Sequence, residues 1–442
     1  MNESRKLPFK KNIAVGLMLF ALFLGAGNII FPPELGQQAG DNFILSMIGF
    51  LITGVGLPLI AVIAIANSGS NFETIASRVH PIFGVCLTIA IYLSIGPFFG
   101  IPRTATVSYE IGVIPFLPKS LQHEPWTLAI FTIAFFLITI FFALNPTKIV
   151  DRVGKILTPI LLIVIGLLAL KSFLTPMGTF EEPKGDFSNN AFFESFVQGY
   201  LTMDVIAALA FGIVVINSLK NEGLEAGKPM MKATIFAGII ASIGLALVYI
   251  SLGYIGATSV GAIGIQENGG AILTLASNVL YGSSGTIILA LTIIFACLTT
   301  SIGLVTACAQ YFQKLLPKLS YKILVLIFAG FSAFVANVGL TKLIEISVPV
   351  LLMIYPLAIV LMLMSFIDKT FDRRPIVYTL PLIATAVVSI TDGFKAAGFT
   401  SSSIESILIN LPLYEQGIGW LLPAVIAGII GFLISKINVK RA

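Results

Sequence analysis

Four groups of residues that could do chemistry lie inside long apolar stretches of this 442-residue chain. A glycine-rich cluster with one amide spans Gly25 to Asn28, and a single acid, Asp204, lies within another apolar stretch. Two adjacent hydroxyls, Thr299 and Thr300, and one arginine, Arg103, complete the set. Polar groups cost several kcal/mol in an apolar medium unless they are partnered, so each of these residues needs a structural or functional reason.

The chain is 57% hydrophobic and only 11% charged, whereas soluble domains carry about 25% charged residues. We therefore expect an all-α integral membrane protein of about twelve spans. The predicted spans are 12–36, 42–66, 81–108, 126–144, 151–174, 192–217, 230–256, 285–313, 321–339, 342–366, 375–391 and 418–436. The segment 257–284 is predicted to be an outer loop that folds back over the outer entrance.

The positions of the basic residues predict the orientation. With a cytoplasmic N-terminus, 20 of the 26 Lys and Arg residues fall on the inside, five on the outside, and Arg103 lies within a span. This predicts a multi-pass membrane protein with both termini cytoplasmic, in which the positive charge faces membrane lipids rather than nucleic acid. Three cysteines and two histidines without metal spacing predict no zinc site.

Five spans followed by five of opposite polarity indicate an inverted-repeat transporter. We place the first repeat at 1–174, the second at 192–366, and two additional helices with a tail at 375–442. Spans 1 and 6, which hold the glycine cluster and Asp204, then run in opposite directions.

Glycines in a spanning helix usually permit close helix packing, but Gly25, Gly27 and Asn28 together favour a break. A break exposes N–H groups around Gly25, Ala26, Gly27 and Asn28, which suit a carboxylate. It also leaves carbonyls around Ala21 and Leu24, which suit a hard cation such as sodium. Asp204 either caps a broken span 6, contacts an amine, or couples a proton or cation.

The remaining polar residues also have alternative interpretations. Thr299 and Thr300 either bond back to their own helix or supply oxygens for sodium. Arg103, in a span bent by Gly96, Pro97, Gly100 and Pro102, either snorkels outward or pairs with an acid such as Glu345 as an outer gate. An enzyme is not expected, because no intramembrane nucleophile–base pair is present, and a channel lacks a continuous polar lining.

Three stretches resemble the branched-chain amino acid:cation symporter family of bacteria, namely Gly25–Pro33, Gly96–Ser108 and Gly199–Gly212. The resemblance implies sodium-driven import of leucine, isoleucine and valine across the bacterial plasma membrane by alternating access. More distantly, the chain is similar to transporters of the leucine-transporter fold, with broken helices 1 and 6. Proton coupling by the same fold, with Asp204 titrating, and passive facilitated transport are the alternatives.

This resemblance implies a set of site residues. The substrate site comprises Gly25, Ala26, Gly27, Asn28, Tyr200, Thr202 and Asp204. The sodium site uses Ala21, Leu24, Ala296, Thr299 and Thr300. A second sodium site of some relatives needs an Asn on span 7, and this span offers only Ser242 and Ser251. Sodium is the expected co-transported ion, no organic cofactor is expected, and we expect a monomer.

Overall fold

The computed structural model describes residues 8–68, 71–122, 124–144, 148–224, 227–399 and 402–439. His123 and four residues of the charge count, Arg5, Lys6, Lys440 and Arg441, lie outside these ranges. Within them every regular element is helical. The α-helices are α1 (Phe9–Phe23), α2 (Ala26–Ala39), α3 (Phe43–Leu51), α4 (Leu57–Ser68), α5 (Phe72–Ala76), α6 (Pro81–Leu93), α7 (Gly100–Gly112), α8 (Pro125–Leu144), α9 (Lys148–Leu174), α10 (Phe187–Gln198), α11 (Asp204–Asn221), α12 (Lys228–Ala257), α13 (Val260–Ile263), α14 (Gly269–Leu315), α15 (Tyr321–Ala336), α16 (Leu340–Phe366), α17 (Pro375–Ala396), α18 (Ser402–Leu408) and α19 (Leu421–Val439).

The predicted spans coincide with these helices or with pairs of them. By length and hydropathy, seven helical runs in the described residues could each cross a membrane, and the bent pair Phe187–Thr202 with Asp204–Lys220 would be an eighth. Three shorter apolar helices lie at Pro159–Leu174, Tyr321–Ala336 and Leu421–Ile437. The count of twelve and the inverted repeats stay predictions.

Several spans are interrupted within the membrane-length region. Span 1 is divided into α1 and α2, and span 6 into α10 and α11. Span 3 is bent, as its glycines and prolines predict: a π-helical turn at Ser94–Phe98 joins α6 to α7, and Gly96 there has non-helical dihedrals. Span 2 contains a second π-helical turn, Ile52–Gly56, between α3 and α4.

The segment predicted as an outer loop is largely helical. α14 begins at Gly269 and runs to Leu315, with a sharp kink at Gly282, where φ is 63°. The prediction of a loop over 257–284 is therefore wrong for its second half. A glycine-rich composition indicated a loop, but Asn268 caps the helix through its side chain, and Gly282 supplies the left-handed turn that only glycine adopts cheaply.

The outer half of span 1 is packed backbone to backbone. We call the end of the bundle at which α1 begins the inner face, and the end at which α2 finishes the outer face. A Cβ atom on Gly256 of α12 would lie 2.0 Å from the Pro33 carbonyl oxygen of α2. A Cβ on Gly269 of α14 would lie 1.7 Å from the Ile30 carbonyl oxygen. Near the outer face, α2 is thus held against both α12 and α14.

The inner face is tied by ion pairs between distant parts of the chain. Arg78, just after α5, donates to the Asp368 carboxylate at 2.7 Å and to the Tyr378 hydroxyl at 3.1 Å. Arg373 contacts the same Asp368 oxygen at 3.2 Å. Both Arg78 and Asp368 side chains are largely buried. These contacts join the connection between spans 2 and 3 to the connection between spans 10 and 11.

The close approach at Gly256 yields a prediction about stability. Gly256→Ala should lower the melting temperature of the detergent-solubilised protein, because the added methyl meets backbone that can move only with α2. The expected cost is about 1–3 kcal/mol, which is typical of overpacking. Thermal unfolding followed by tryptophan fluorescence measures it.

The matched control is Gly330→Ala on α15, where nothing lies within 4 Å of the added Cβ. There alanine should leave the melting temperature unchanged or raise it, since it is the better helix former. Equal melting temperatures for both variants would contradict the close packing of α2 on α12.

Candidate functional site

The break in span 1 occurs at Leu24 and Gly25. α1 ends at Phe23, Leu24 has ψ 88°, and Gly25 is extended with φ −113° and ψ −171°. The Gly25 N–H, which would continue α1 by bonding to Ala21, donates instead to Asn28 Oδ1 at 2.9 Å. The Ala21 carbonyl thereby loses its expected helical donor. Ala26 and Gly27 already lie in the first turn of α2, where N–H groups lack acceptors in their own helix.

The break in span 6 is longer. α10 passes into a 3₁₀ turn at Gly199–Thr202, and Met203 then adopts a left-handed conformation with φ 65°. α11 begins at Asp204, and the two halves of the span are bent by 42°. A left-handed methionine costs about 1–2 kcal/mol. Such strain persists where the surrounding structure imposes it, which is typical of binding sites.

Asn28, Asp204 and Tyr249 join the two breaks in one hydrogen-bonded cluster. Asn28 Nδ2 donates to Asp204 Oδ1 at 3.0 Å and to Oδ2 at 2.8 Å. The Tyr249 hydroxyl on α12 donates to Asp204 Oδ2 at 2.5 Å and also contacts Asn28 Nδ2. All three side chains are buried. The cluster therefore links both broken spans to span 7.

Asp204 does not cap its own helix. The structure gives α11 no side-chain cap, and the Asp204 carboxylate turns toward Asn28 and Tyr249 instead. Capping of the broken span 6 was one of the interpretations of Asp204 from the sequence. Two interpretations remain, namely that Asp204 contacts an amine and that it couples a proton or cation. Both are compatible with the structure, because the two carboxylate oxygens can accept more hydrogen bonds than these contacts use.

Tyr249 is the residue that sequence reasoning missed. In a long apolar run a tyrosine looks like an ordinary core aromatic, and only serines were considered on span 7. Its hydroxyl lies within hydrogen-bonding distance of both Asn28 and Asp204. The only available signal was a hydroxyl-bearing side chain in a span that faces the two predicted breaks.

A small cavity of about 60 Å³ lies between the two breaks. Its polar lining comes from Gly25, Ala26, Gly27, Asn28, Arg103, Thr104, Thr202, Asp204 and Thr300. Its apolar lining includes Leu22, Phe23, Ile95, Met203, Ala207, Phe211 and Leu304. The cavity thus combines the N-terminus of α2, the Asp204 carboxylate and the Arg103 guanidinium with an apolar wall.

Thr202 and Tyr200 belong to the same turn but lie differently. Thr202 lines the cavity, and its hydroxyl donates to the Gly199 carbonyl at 2.9 Å and accepts from the Asp204 N–H at 3.4 Å. Tyr200 is absent from the lining, and its ring stacks on Tyr355 with centroids 4.7 Å apart. The structure therefore places Tyr200 behind the site, where it supports the turn.

The two threonines predicted to bind a cation form hydrogen bonds within their own helix. Thr299 and Thr300 hydroxyls donate to the Ala296 carbonyl at 2.8 and 3.0 Å. The Thr300 methyl lies 3.7 Å from the position of a Cβ on Gly25, so this side chain is beside the break. The back-bonded arrangement considered from the sequence is the one observed.

The donors available here suit only a hard cation. Among the described residues no group of three or more His, Cys, Asp or Glu could hold a metal ion. Backbone carbonyls of Ala21, Leu24 and Ala296 and the two hydroxyl oxygens are neutral oxygen donors. Such donors favour hard cations over transition metals.

The predicted pairing of Arg103 with Glu345 is not observed. Arg103 is buried, and its Nη1 donates to the Leu201 carbonyl at 2.7 Å and its Nη2 to Ser347 Oγ at 3.1 Å. Glu345 is exposed. On α16 the two positions Glu345 and Ser347 differ by about 200° around the helix, so only Ser347 faces Arg103.

Comparison with known proteins identifies the family. Residues 8–438 match the family model described as branched-chain amino acid transport protein. The branched-chain amino acid permease BraB of Bacillus subtilis is 52% identical over 430 residues, covering 97% of this chain and 96% of the relative. These matches concern transporters rather than enzymes and extend over nearly the whole chain.

Solved structures show the fold. The inward-facing conformation of Mhp1 is similar with a TM-score of 0.62 at 15% identity, covering 99% of this chain and 96% of that chain. MhsT in complex with L-phenylalanine is similar with a TM-score of 0.55 at 17% identity, covering 96% and 98%. The leucine-transporter-like fold expected from the sequence is confirmed. This multi-pass membrane protein belongs to the family of branched-chain amino acid transport proteins.

Proposed function

We propose that the chain is a sodium-coupled symporter that imports leucine, isoleucine and valine across the bacterial plasma membrane by alternating access, with both termini cytoplasmic. The observation that carries the proposal is the joining of two broken helices around one cavity through Asn28 and Asp204. The relatives named as branched-chain amino acid permeases supply the substrate class.

The cavity offers a complementary group for each part of the substrate. The first turn of α2, from Ala26 to Asn28, presents N–H groups and the positive end of a helix dipole to a carboxylate. Asp204 presents a carboxylate to the amine. Phe23 and Phe211 belong to the apolar wall that takes the branched side chain.

Sodium coupling would connect α1 to α14. In the structure α1 packs mainly against α12, with weaker contacts to α11 and α9, whereas α2 packs against both α12 and α14. An ion held by carbonyls of Ala21 and Leu24 and by oxygens of Ala296, Thr299 and Thr300 would add the contact between α1 and α14. Ion binding would then favour one arrangement of the inner half-helix over another.

The membrane potential makes this coupling useful. One charge moved inward contributes about 2.3 kcal/mol per 100 mV. Since 1.4 kcal/mol corresponds to a factor of ten, this alone supports accumulation of about fifty-fold.

Proton coupling is the second candidate, and the burial of the Asp204 carboxylate beside the Tyr249 hydroxyl favours it. A carboxyl group inside a membrane protein is typical of proton relays. The ion requirement therefore has to be tested directly.

Reconstituted protein tests the coupling ion. In proteoliposomes with equal pH on both sides, an inward sodium gradient should drive uptake of labelled leucine above equilibrium, because the ion moves with the substrate. A proton gradient imposed without sodium should not drive leucine uptake above equilibrium. Sodium-independent accumulation would overturn sodium coupling, and equilibration without accumulation would indicate a facilitator.

The span 8 hydroxyls are tested by Thr299→Ala with Thr300→Ala. Loss of two of five oxygen ligands should raise the sodium concentration for half-maximal leucine uptake by about tenfold or more, with each hydroxyl contributing about 1 kcal/mol. The matched control is Thr292→Ala on the same helix, where the hydroxyl bonds back to the Ile288 carbonyl at 2.7 Å. An unchanged sodium dependence in the double variant would remove both threonines from the site.

The contribution of the Tyr249 hydroxyl on α12 to substrate binding is tested by Tyr249→Phe. The change removes the donor 2.5 Å from Asp204 and leaves the ring in place. A lost hydrogen bond to a charged group costs about 1.5–3 kcal/mol, so the KM for leucine should rise about tenfold or more. Tyr254→Phe, on the same helix with its ring stacked on Phe173, is the control and should keep the KM. Equal KM values in both variants would separate Tyr249 from the binding site.

A further inference from the structure

Arg103 is a buried cation whose contacts are neutral. Only 2% of the residue is exposed, and its two hydrogen-bond partners are the Leu201 carbonyl and the Ser347 hydroxyl. Its Nε has no hydrogen-bond partner among the described residues. Removing an ion from water costs several kcal/mol even after relaxation, more than two hydrogen bonds to neutral groups return. An anion within hydrogen-bonding distance would therefore stabilise this buried guanidinium.

Neither nearby acid provides that anion by direct contact. Glu34 of α2 interacts with Arg103 electrostatically, but the two form no ion pair in the described structure, and Glu34 Oε2 is itself unpartnered. The Asp204 carboxylate is bound by Asn28 and Tyr249. Donor capacity at the guanidinium thus remains for another ligand.

The guanidinium lies at the break in span 1. Arg103 lines the cavity, and its Nη1 is 3.3 Å from the position that a Cβ on Gly27 would occupy. The guanidinium carbon also lies 5.1 Å from the centroid of the Phe31 ring, one turn further along α2. Two positive features, the guanidinium and the N-terminus of α2, therefore converge on the same side of the cavity.

We propose that Arg103 binds the α-carboxylate of the transported amino acid, together with the N–H groups of the first turn of α2. This assignment rests on the proposed function and names the group that recognises the carboxylate in it. Arginine suits the role because its planar fork of donors matches a carboxylate. With Asp204 also lining the cavity, the site presents one cation and one anion to a zwitterion.

A purely structural arginine would hold Leu201 to Ser347 and would not distinguish ligands by their carboxylate. The test therefore compares leucine with leucinamide, in which a neutral carboxamide replaces the carboxylate. Affinities are measured on the full chain in detergent by isothermal titration calorimetry at fixed sodium. Because the readout is a ratio within one preparation, it does not depend on how much of the protein is folded.

Wild-type protein should bind leucine about 10- to 100-fold more tightly than leucinamide, as expected for a charged hydrogen-bonded pair. Arg103→Gln should lose leucine affinity by that factor while leucinamide affinity changes little, so that the ratio approaches one. Arg103→Lys should give an intermediate ratio, because the charge is kept and the fork is lost. If Arg103→Gln does not fold, the ratio for Arg103→Lys decides the question.

The matched control is Arg78→Gln, which removes another largely buried arginine at the inner face and should keep the wild-type ratio. A wild-type ratio in Arg103→Gln, or in Arg103→Lys where only that variant folds, would overturn the proposal. If wild-type protein bound neither leucine, isoleucine nor valine, the proposed function itself would fail, which is a distinct outcome.

Discussion

The hydrogen bonds from Asn28 to Asp204 are the contact on which the rest of the site depends. A helix can break inside a membrane only where protein or an enclosed cavity satisfies the freed groups. Asn28 serves both breaks, since its Oδ1 accepts from the Gly25 N–H and its Nδ2 reaches Asp204. Each break thereby fixes the position of the other, and the cavity between them follows.

The two halves of span 1 are held in different ways, which makes the break a natural hinge. The outer half meets the backbones of α12 and α14 at Gly256 and Gly269, where even one added carbon atom would not fit. The inner half, α1, packs on α12 through side chains, and α14 is not among its main packing partners. A movement of α1 therefore disturbs few contacts of α2. An ion that binds between α1 and α14 in only one position of α1 would stabilise that position relative to the others.

The main architecture was predictable because it depends on local composition. Apolar runs predicted the spans, and Gly25, Gly27 and Asn28 predicted a break near the middle of the first one. The break lies slightly earlier, at Leu24 and Gly25, because the Asn28 side chain caps α2 and draws Ala26 and Gly27 into its first turn. Helix propensity indicates the region in which a helix is easily interrupted, whereas a side-chain hydrogen bond determines at which residue the interruption occurs.

Residues whose roles depend on helix rotation were not predictable in the same way. The π-helical turn at Ser94–Phe98 inserts about one extra residue before α7, and one residue corresponds to a rotation of about 100°. Helix periodicity therefore does not give the direction of the Arg103 side chain, for which the sequence left snorkelling outward and pairing with Glu345 as alternatives. The structure directs it to Ser347, which lies on a different side of α16 from Glu345. Tyr249 could not be recognised because its partners, Asn28 and Asp204, are 221 and 45 residues away along the chain.

The charges around the cavity bear on which particle carries the transported charge. On the proposed mechanism Arg103 is cationic and Asp204 anionic, so these two lining groups contribute no net charge. A zwitterionic amino acid between them adds none, and its binding alone responds little to the membrane potential. The net charge that crosses is then that of the co-transported ion. Substrate recognition and voltage dependence are thus assigned to different residues, the first to Arg103, Asp204 and the start of α2, and the second to the oxygens of α1 and α14.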